Sequence, residues 1–394
     1  MANVSSSNGL EKRPKLRFPG FDEPWEAVTL SSILHERNEY AEKDGSYEHA
    51  TLSKEGIYAK TARYDRDFLV STENKKYKVT HYNDLCYNPA NLKFGVICLN
   101  KYGDAIFSPI YVTFEVDEKV DVDFIGANVT RWDFINHALR FQQGTVYERM
   151  AVSPEDFLSI QCYLPSKNEQ VHIASLMRVL DNRIEKQQSY VDALKKYKRG
   201  LLSNLFGEKA TQEWTTKSYY FSEIAQRRSE KYDPTSGIEY PCVELENIEQ
   251  ETGKILSTVP STAQSSIKNI AMSGDTLFGK LRPYLRKYAF AQQTMACSSE
   301  IWALIPSNIV LPKFLFYLVQ TEQFLRVANI SSGTKMPRAE LSNIEKTEFF
   351  IPDPFVQRKV VSLLEGLDQK ITFADSMLFC LNRLKASLLQ QLFI

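Results

Sequence analysis

IASLMRVLDNRIEKQQSYVDALKKYKRGLLSNL (residues 173–205) and VVSLLEGLDQKITFADSMLFCLNRLKASLLQQL (residues 360–392) are two copies of one pattern. Each copy carries mostly apolar residues at steps of three or four. Every such position recurs 187 residues later, including the polar interruptions Lys198 and Lys385. Steps of three and four place side chains on one face of an α-helix. The pattern therefore predicts a tandem duplication in which each unit ends in a long amphipathic helix.

These helices are long enough to project beyond a small domain, since about 33 residues span about 50 Å. An apolar stripe of that length needs a partner, and two like units related by a pseudo-twofold axis would pack their helices antiparallel, as in a coiled coil. The alternative is two unrelated amphipathic helices, each lying on its own domain. The predicted interface comprises Ile173, Leu176, Leu180, Ile184, Val191, Leu194, Leu201, Leu205, Val360, Leu363, Leu367, Ile371, Leu378, Leu381, Leu388 and Leu392.

The duplication extends beyond the helices. Arg37 recurs as Arg228, and the stretch 83–87 (NDLCY) recurs as 274–278 (GDTLF), both after 191 residues. The pair Leu164-Pro165 recurs as Ile351-Pro352 after 187 residues. Small changes in offset are what loop insertions between equivalent elements produce. The residues between these anchors differ strongly. The pattern therefore indicates two copies of one type of domain that recognise different targets.

The pattern divides the chain into five segments and predicts an α/β (α+β) fold. They are a disordered tail (1–15), a first domain (16–165), a first long helix (166–207), a second domain (208–352) and a second long helix (353–394). Runs rich in β-branched and aromatic residues predict strands at 94–99, 110–116, 275–281, 288–291 and 300–305. Shorter helices are expected at 130–142 and 313–327.

Composition narrows the class of protein. Basic and acidic residues number 48 each, which counts against a protein that coats nucleic acid without sequence preference. No apolar run is long enough to span a membrane, and no secretory signal is evident. The six cysteines form no CxxC pair, so we expect reduced thiols in a cytoplasmic protein.

Motifs for chemistry are missing. The chain has no phosphate-binding GxxxxGK[ST] or GxGxxG loop, and its five histidines lack the spacing of metal ligands. The acidic cluster Asp117-Glu118 fits a solvated turn better than a nuclease centre. We therefore predict no catalytic residue and no metal ligand in this chain.

Basic and aromatic residues gather in each domain and could contact DNA. Lys and Arg can neutralise phosphates, and Arg can read guanine edges. For any single residue, a solvated basic surface is the simpler interpretation. The candidate DNA-binding residues are Lys60, Arg63, Arg66, Lys75, Lys76 and Lys78 in the first domain, and Lys280, Arg282, Tyr284, Arg286, Lys287, Lys335 and Arg338 in the second.

Taken together, these features resemble the specificity subunits of type I restriction-modification systems over nearly the whole length of the chain. The start 15–21 (KLRFPGF) with Trp25, and the stretch 274–284 (GDTLFGKLRPY), are similar to recurring family patterns. Leu164-Pro165 followed by Glu169-Gln170 resembles the entry into a family helix. At the second junction Val356-Gln357 replaces Glu-Gln, although the helix that follows is intact.

The resemblance implies a non-catalytic DNA reader. Each domain would be a target recognition domain for one half of a bipartite, asymmetric double-stranded site, and the two helices would fix the spacing. Partners would be two modification (methyltransferase) subunits that bind S-adenosylmethionine and, where present, two restriction subunits that use ATP and magnesium. The chain itself would hold no cofactor and contact no membrane. The alternatives are a coiled-coil scaffold without DNA recognition and a stand-alone nuclease or methyltransferase.

Overall fold

The computed structural model describes residues 12–43, 45–60, 76–144, 150–207, 216–330 and 336–394. The chain divides into two compact units. Unit 1 contains residues 1–187 and 377–394, and unit 2 contains residues 188–376. The C-terminal end of the second long helix thus belongs to the same unit as the first domain.

Unit 1 is built from short strands in three sheets. The described strands are β1 (Glu26–Thr29), β2 (Leu34–Glu36), β3 (Tyr40–Ala41), β4 (Glu48–Ser53), β5 (Gly56–Ala59), β6 (Tyr77–Thr80), β7 (Leu85–Tyr87), β8 (Ile97–Leu99), β9 (Ala105–Phe107), β10 (Val112–Val116) and β11 (Gln161–Leu164). The sheet orders are β1-β11, β2-β10-β7-β8 and β3-β6-β9-β4-β5. The helices are α1 (Val122–Val129), α2 (Trp132–Ala138), α3 (Pro154–Leu158) and the long α4 (Lys167–Leu205).

Unit 2 repeats this arrangement. Its described strands are β12 (Thr216–Tyr220), β13 (Ala225–Arg227), β14 (Lys231–Tyr232), β15 (Pro241–Val243), β16 (Val259–Pro260), β17 (Lys268–Ala271), β18 (Thr276–Gly279), β19 (Tyr288–Phe290), β20 (Met295–Cys297), β21 (Ile301–Pro306) and β22 (Glu348–Pro352). The helices are α5 (Phe221–Ile224), α6 (Pro312–Leu318), α7 (Glu322–Ala328), α8 (Leu341–Glu345) and the long α9 (Pro354–Leu392).

The sheets of unit 2 have the orders β12-β22, β13-β21-β18-β19 and β14-β17-β20-β15-β16. Each order becomes that of unit 1 when the strands are matched in chain sequence. The parallel pair β4·β9 also has its counterpart in β15·β20. Two units of the same α/β topology therefore underlie the repeated sequence pattern.

The strand predicted at 94–99 is wrong in its first half. A 3-10 turn occupies Leu92–Phe94, and only Ile97–Leu99 is extended. Gly95 has a φ of 76°, a left-handed conformation that ends the turn and cannot continue a strand. The apolar composition of this run did not distinguish an exposed turn from a strand.

The helix predicted at 313–327 is divided in two, whereas the range 130–142 contains one short α-helix that continues into a 3-10 turn. In unit 1, α2 is followed by a 3-10 turn at Leu139–Phe141, and α1 precedes it. In unit 2, α6 ends before Thr321, whose side chain accepts a hydrogen bond from the Phe324 N–H and caps α7. A capping hydroxyl of this kind starts a new helix because it satisfies a free N–H.

The two long helices have 39 residues each, which corresponds to about 60 Å. The Ser166 hydroxyl accepts the Glu169 N–H at the start of α4, and the Asp353 carboxylate accepts the Phe355 N–H at the start of α9. Each helix therefore begins directly after the Leu-Pro or Ile-Pro pair that ends the preceding strand.

Much of the predicted apolar stripe is buried. Ile173, Leu180 and Leu392 are buried in unit 1, and the interface residues buried in unit 2 are Val191, Val360, Leu367 and Ile371. The stripe departs from the prediction at Leu363, which is 50 % exposed, whereas Leu364 is fully buried. The reason is that this part of α9 packs on the core of unit 2, where Leu364 joins the α6 residues. The other predicted positions are half-buried: Leu176, Ile184, Leu194, Leu201, Leu205, Leu378, Leu381 and Leu388.

Ion pairs join the long helices within each unit. In unit 2, Lys198 contacts Asp368 at 2.7 Å and Lys195 contacts Asp375 at 3.4 Å. In unit 1, Lys385 contacts Asp181. Adding 187 to Lys198 gives Lys385, and adding 187 to Asp181 gives Asp368. Each of these two pairs is therefore the counterpart of the other under the internal repeat.

Candidate nucleic-acid interface

A repeated ion pair positions the central strands of both units. The Arg37 guanidinium donates to both Asp84 carboxylate oxygens, at 2.9 and 3.0 Å. Arg228 donates to Asp275 in the same way, at 2.6 and 3.0 Å. The hydrogen bonds to the carboxylates raise the pKa of both arginines. The pair fixes the turn that leads into β7 in unit 1 and β18 in unit 2.

Buried glutamines hold the start of each long helix against its domain. The Gln170 side chain accepts the Asp121 N–H at 2.8 Å and donates to the Pro165 carbonyl at 2.9 Å. Gln357 accepts the Leu311 N–H at 2.8 Å and donates to the Pro352 carbonyl at 2.9 Å. Each glutamine thus connects the end of a strand, the start of a long helix and the entry to a shorter helix.

Equivalent surface turns follow β7 and β18. Turn 1 is residues 91–95, centred on the 3-10 turn Leu92–Phe94, and turn 2 is residues 282–286, centred on Pro283–Leu285. The offset between Leu92 and Pro283 is again 191. The last residue of each turn is left-handed, with φ of 76° at Gly95 and 51° at Arg286. Both turns therefore have the same place in the topology and the same closing conformation.

Backbone hydrogen bonds join a later segment of each unit to turn 2 itself and to the residue two positions before turn 1. In unit 1 the Val152 N–H donates to the Pro89 carbonyl at 3.3 Å. In unit 2 the Ala339 N–H donates to the Lys280 carbonyl at 2.8 Å, and the Arg282 N–H donates to the Pro337 carbonyl at 2.7 Å. Arg282 is itself left-handed, with a φ of 52°. Such a conformation costs a non-glycine residue about 1 kcal/mol, and it persists because the surrounding contacts impose it.

Most cations predicted to bind DNA in unit 2 are engaged within the unit. Arg338 donates to the Glu300 carboxylate at 3.0 Å, which raises the pKa of Arg338, and Lys280 lies 3.9 Å from the same carboxylate. Arg286 contacts Glu322 at 2.7 Å, and the Lys287 ammonium donates to the Leu245 carbonyl at 2.6 Å. These side chains hold the turn in place.

Two predicted residues of turn 2 remain open to solvent. Arg282 is exposed, and within the described part of unit 2 its guanidinium has no hydrogen-bond or carboxylate partner. The ring of Tyr284 is 55 % exposed. Turn 2 therefore presents one free cation and one aromatic ring.

The unit 1 predictions fare differently. Lys78 is 2 % exposed; its ammonium donates to Glu36 at 3.1 Å and Asn38 at 2.9 Å and lies 5.1 Å from the centre of the Tyr40 ring. A buried lysine with these partners is not available to a phosphate, so the prediction for Lys78 is wrong. Lys60 is half-buried and Lys76 is exposed. Arg63, Arg66, Lys75 and, in unit 2, Lys335 lie outside the described residues.

Turn 1 contains surface residues that the sequence analysis missed. Lys93 is exposed, and its ammonium lies 5.2 Å from the centre of the Phe94 ring, which is 59 % exposed. The exposed Trp132 at the start of α2 lies against Gly95, where an added Cβ would be 3.5 Å from the indole. The signal that could have found them is the offset of 191 from Pro283 and Tyr284.

Unit 2 also contains a cavity of about 870 Å³ between its parts of α4 and α9 and the 249–254 loop. Its charged groups contact one another: Lys198 binds Asp368 at 2.7 Å, and the Tyr317 hydroxyl donates to Asp368 at 2.9 Å. Burial raises the pKa of Tyr317. Arg286 and Glu322 also line this cavity, whereas Arg282 does not.

The described residues contain no group of three or more His, Cys, Asp or Glu side chains placed to hold a metal ion. Nor does any helix in the described ranges have the length and apolar character needed to cross a membrane.

Comparison with known proteins gives one family. Residues 221–375 match the family model of the type I restriction modification DNA specificity domain. The chain is 27 % identical over 198 residues to the HindI specificity subunit of Haemophilus influenzae, covering 45 % of this chain and 40 % of that protein. It is 23 % identical over 261 residues to the EcoDI specificity subunit of Escherichia coli, covering 56 % and 57 %. The chain thus spans about half the length of the curated relatives it matches.

Solved structures share the fold over nearly the whole chain. The S subunit of a type I restriction-modification system from M. genitalium has a TM-score of 0.58 at 18 % identity, covering 97 % of this chain and 99 % of that one. A chain from a study of complex assembly and conformational transition of the type I R-M system has a TM-score of 0.59 at 14 % identity, covering 96 % and 98 %.

The fold and its surface turns define a class of protein in which one α/β unit occurs twice and each copy ends in a long helix. Within that class, residues 221–375 match a type I restriction modification DNA specificity domain, and the chain is similar in sequence and in fold to type I specificity subunits.

Proposed function

We propose that this chain is the DNA specificity subunit of a type I restriction-modification complex and recognises a bipartite, asymmetric double-stranded site. The observation that carries the proposal is the pair of units with the same topology and different surfaces. One recognition domain in each unit would read one half-site. The specificity domain matched at 221–375 and the names of the curated relatives support the same function.

We also propose that the long helices pack as an antiparallel coiled coil that sets the distance between half-sites. The reciprocal ion pairs support this arrangement, because Lys198–Asp368 and Lys385–Asp181 exchange under the internal repeat. In unit 2, the partners step in opposite chain directions, from Lys198 to Lys195 and from Asp368 to Asp375. A rigid pair of this kind would fix the spacer length by geometry.

The proposed complex divides recognition from catalysis. This chain would be non-catalytic and hold no cofactor, while two modification subunits would bind S-adenosylmethionine and methylate DNA. Restriction subunits would use ATP and magnesium where they are present. The long helices carry exposed large apolar side chains, including Val179 and Phe373, which would be available to partner subunits.

The test is to sequence methylated bases in DNA from cells that carry this chain with a cognate modification subunit. The proposal predicts one split motif that disappears when this chain is removed. A complex that assembles with the modification subunit but shows no sequence preference in methylation or footprinting would favour the scaffold alternative.

A further inference from the structure

Turns 1 and 2 share a surface composition that their sequences do not reveal. Each presents one exposed cation and one exposed aromatic ring: Lys93 and Phe94 in turn 1, and Arg282 and Tyr284 in turn 2. The residues differ in type and position, but both turns combine an exposed positive charge with an exposed ring. A cation suits a phosphate oxygen, and an aromatic face suits a sugar or an unstacked base.

The framework beneath the turns is also repeated. In each unit the turn follows the strand positioned by an Arg–Asp pair and lies against the start of a helix. A later segment of the chain donates backbone hydrogen bonds to Lys280, two residues before turn 2, and to Pro89, two residues before turn 1. The helix contacts are made by Gly95 with Trp132 in unit 1 and by Arg286 with Glu322 in unit 2. The left-handed Arg282 shows that this framework imposes the backbone on turn 2 even where glycine is absent.

From this combination we propose that turns 1 and 2 are equivalent contact sites for the DNA sugar–phosphate backbone, one for each half-site. The inference rests on the proposed function and deepens it by separating backbone contact from base reading. Two units that read different bases share only the chemistry of the backbone. The repeated turns are therefore suited to contact phosphate, and the segments that differ between the units are suited to read bases.

The proposal also divides the basic residues of turn 2 into two roles. Arg282 contacts phosphate, whereas Lys280, Arg286, Lys287 and Arg338 are positioning residues whose charges are engaged with Glu300, Glu322 or the Leu245 carbonyl. In turn 1 the contacting cation is Lys93, and it replaces Lys78, which is buried and paired.

The first experiment measures binding of the full chain, assembled with its modification subunits, to a mixed-sequence DNA duplex over a range of salt concentrations. Lys93→Gln and Arg282→Gln should each weaken binding and reduce the slope of log affinity against log salt by about 1, as expected for one lost phosphate contact. The matched controls are Lys119→Gln in unit 1 and Lys346→Gln in unit 2, exposed cations outside the turns. They should leave the slope unchanged.

Phe94→Ala and Tyr284→Ala extend the test to the rings. Each should weaken binding several-fold with an unchanged salt slope, because the ring carries no charge. Circular dichroism of every variant should match that of the original protein, which separates a lost contact from a lost fold.

The recognised motif is the second readout. Under the proposal, Lys93→Gln and Arg282→Gln lower the extent of methylation at every site but leave the motif unchanged. A changed base preference would assign the turns to base reading, and slopes equal to those of the controls would show that the turns do not touch DNA. Either result would overturn the proposal that the turns contact the DNA backbone, while the proposed function would stand. If the complex with the unsubstituted chain methylates no specific motif, the proposed function itself fails.

Discussion

The buried Arg228–Asp275 ion pair contributes to the stability of unit 2. Its side chains are 9 % and 3 % exposed, and the carboxylate also accepts the Met272 N–H at 2.8 Å. Removing the Asp275 carboxylate leaves a buried guanidinium whose remaining acidic partner is the exposed Glu230, at 3.2 Å. We therefore expect Asp275→Asn to lower the free energy of unfolding of unit 2 by about 3 kcal/mol.

Urea unfolding followed by circular dichroism measures this change. Glu246→Gln is the matched control, because Glu246 is an exposed acid of the same unit and its loss should change stability by less than about 0.5 kcal/mol. Equal midpoints for the two variants would mean that the pair contributes no more than a surface charge.

His81 gives unit 1 a pH-dependent contact. Its ring nitrogens lie 3.1 Å from the Glu39 carboxylate and 3.0 Å from that of Asp104. Partial burial lowers the pKa of His81, but the hydrogen bonds to the two carboxylates outweigh burial and raise it above its ordinary value. A raised folded-state pKa means that the protonated ring stabilises the fold below the unfolded pKa, and that this stabilisation is lost as pH rises through the folded pKa.

The expected result is a melting-temperature difference between the original protein and His81→Gln that is present near pH 6 and disappears at about pH 9. Thermal melting at a series of pH values measures it. A difference that is constant across the range would show that protonation of His81 is not the cause.

At the scale of elements, α9 provides a pair of adjacent leucines with opposite environments. Leu364 is fully buried in the core of unit 2, and Leu363 is 50 % exposed. Loss of a buried leucine side chain removes its burial and leaves a cavity, so Leu364→Ala should destabilise the protein by about 3 kcal/mol. Leu363→Ala should cost less than about 1 kcal/mol, and denaturant unfolding of both variants makes the comparison. A larger destabilisation by Leu363→Ala than by Leu364→Ala would support the stripe predicted from sequence, in which Leu363 is the buried residue.

The same pair of residues shows what the sequence could predict. Period and offset were enough to locate both long helices, because a repeated stripe of steps of three and four has few other structural solutions. They could not decide between Leu363 and Leu364, since both lie near one edge of the stripe and only packing on α6 distinguishes them.

The candidate interface was less predictable for a similar reason. Sequence density of Lys and Arg pointed to Lys78, Lys280 and Arg338, which the structure finds in contact with acids of their own unit. Whether a cation is free depends on residues distant in sequence. Lys93 and Phe94 were overlooked because an apolar run around them looked like a strand, and Gly95 turns it instead.

At the scale of the whole molecule, the proposed function has each unit recognise its own half of the DNA site. The decisive experiment exchanges residues 208–352 for the equivalent domain of a relative and sequences the methylated motif in cells that carry the cognate modification subunit. We expect one half of the motif to change while the other half and the spacer stay the same. A motif altered in both halves, or in neither, would show that the two units do not each recognise one half-site.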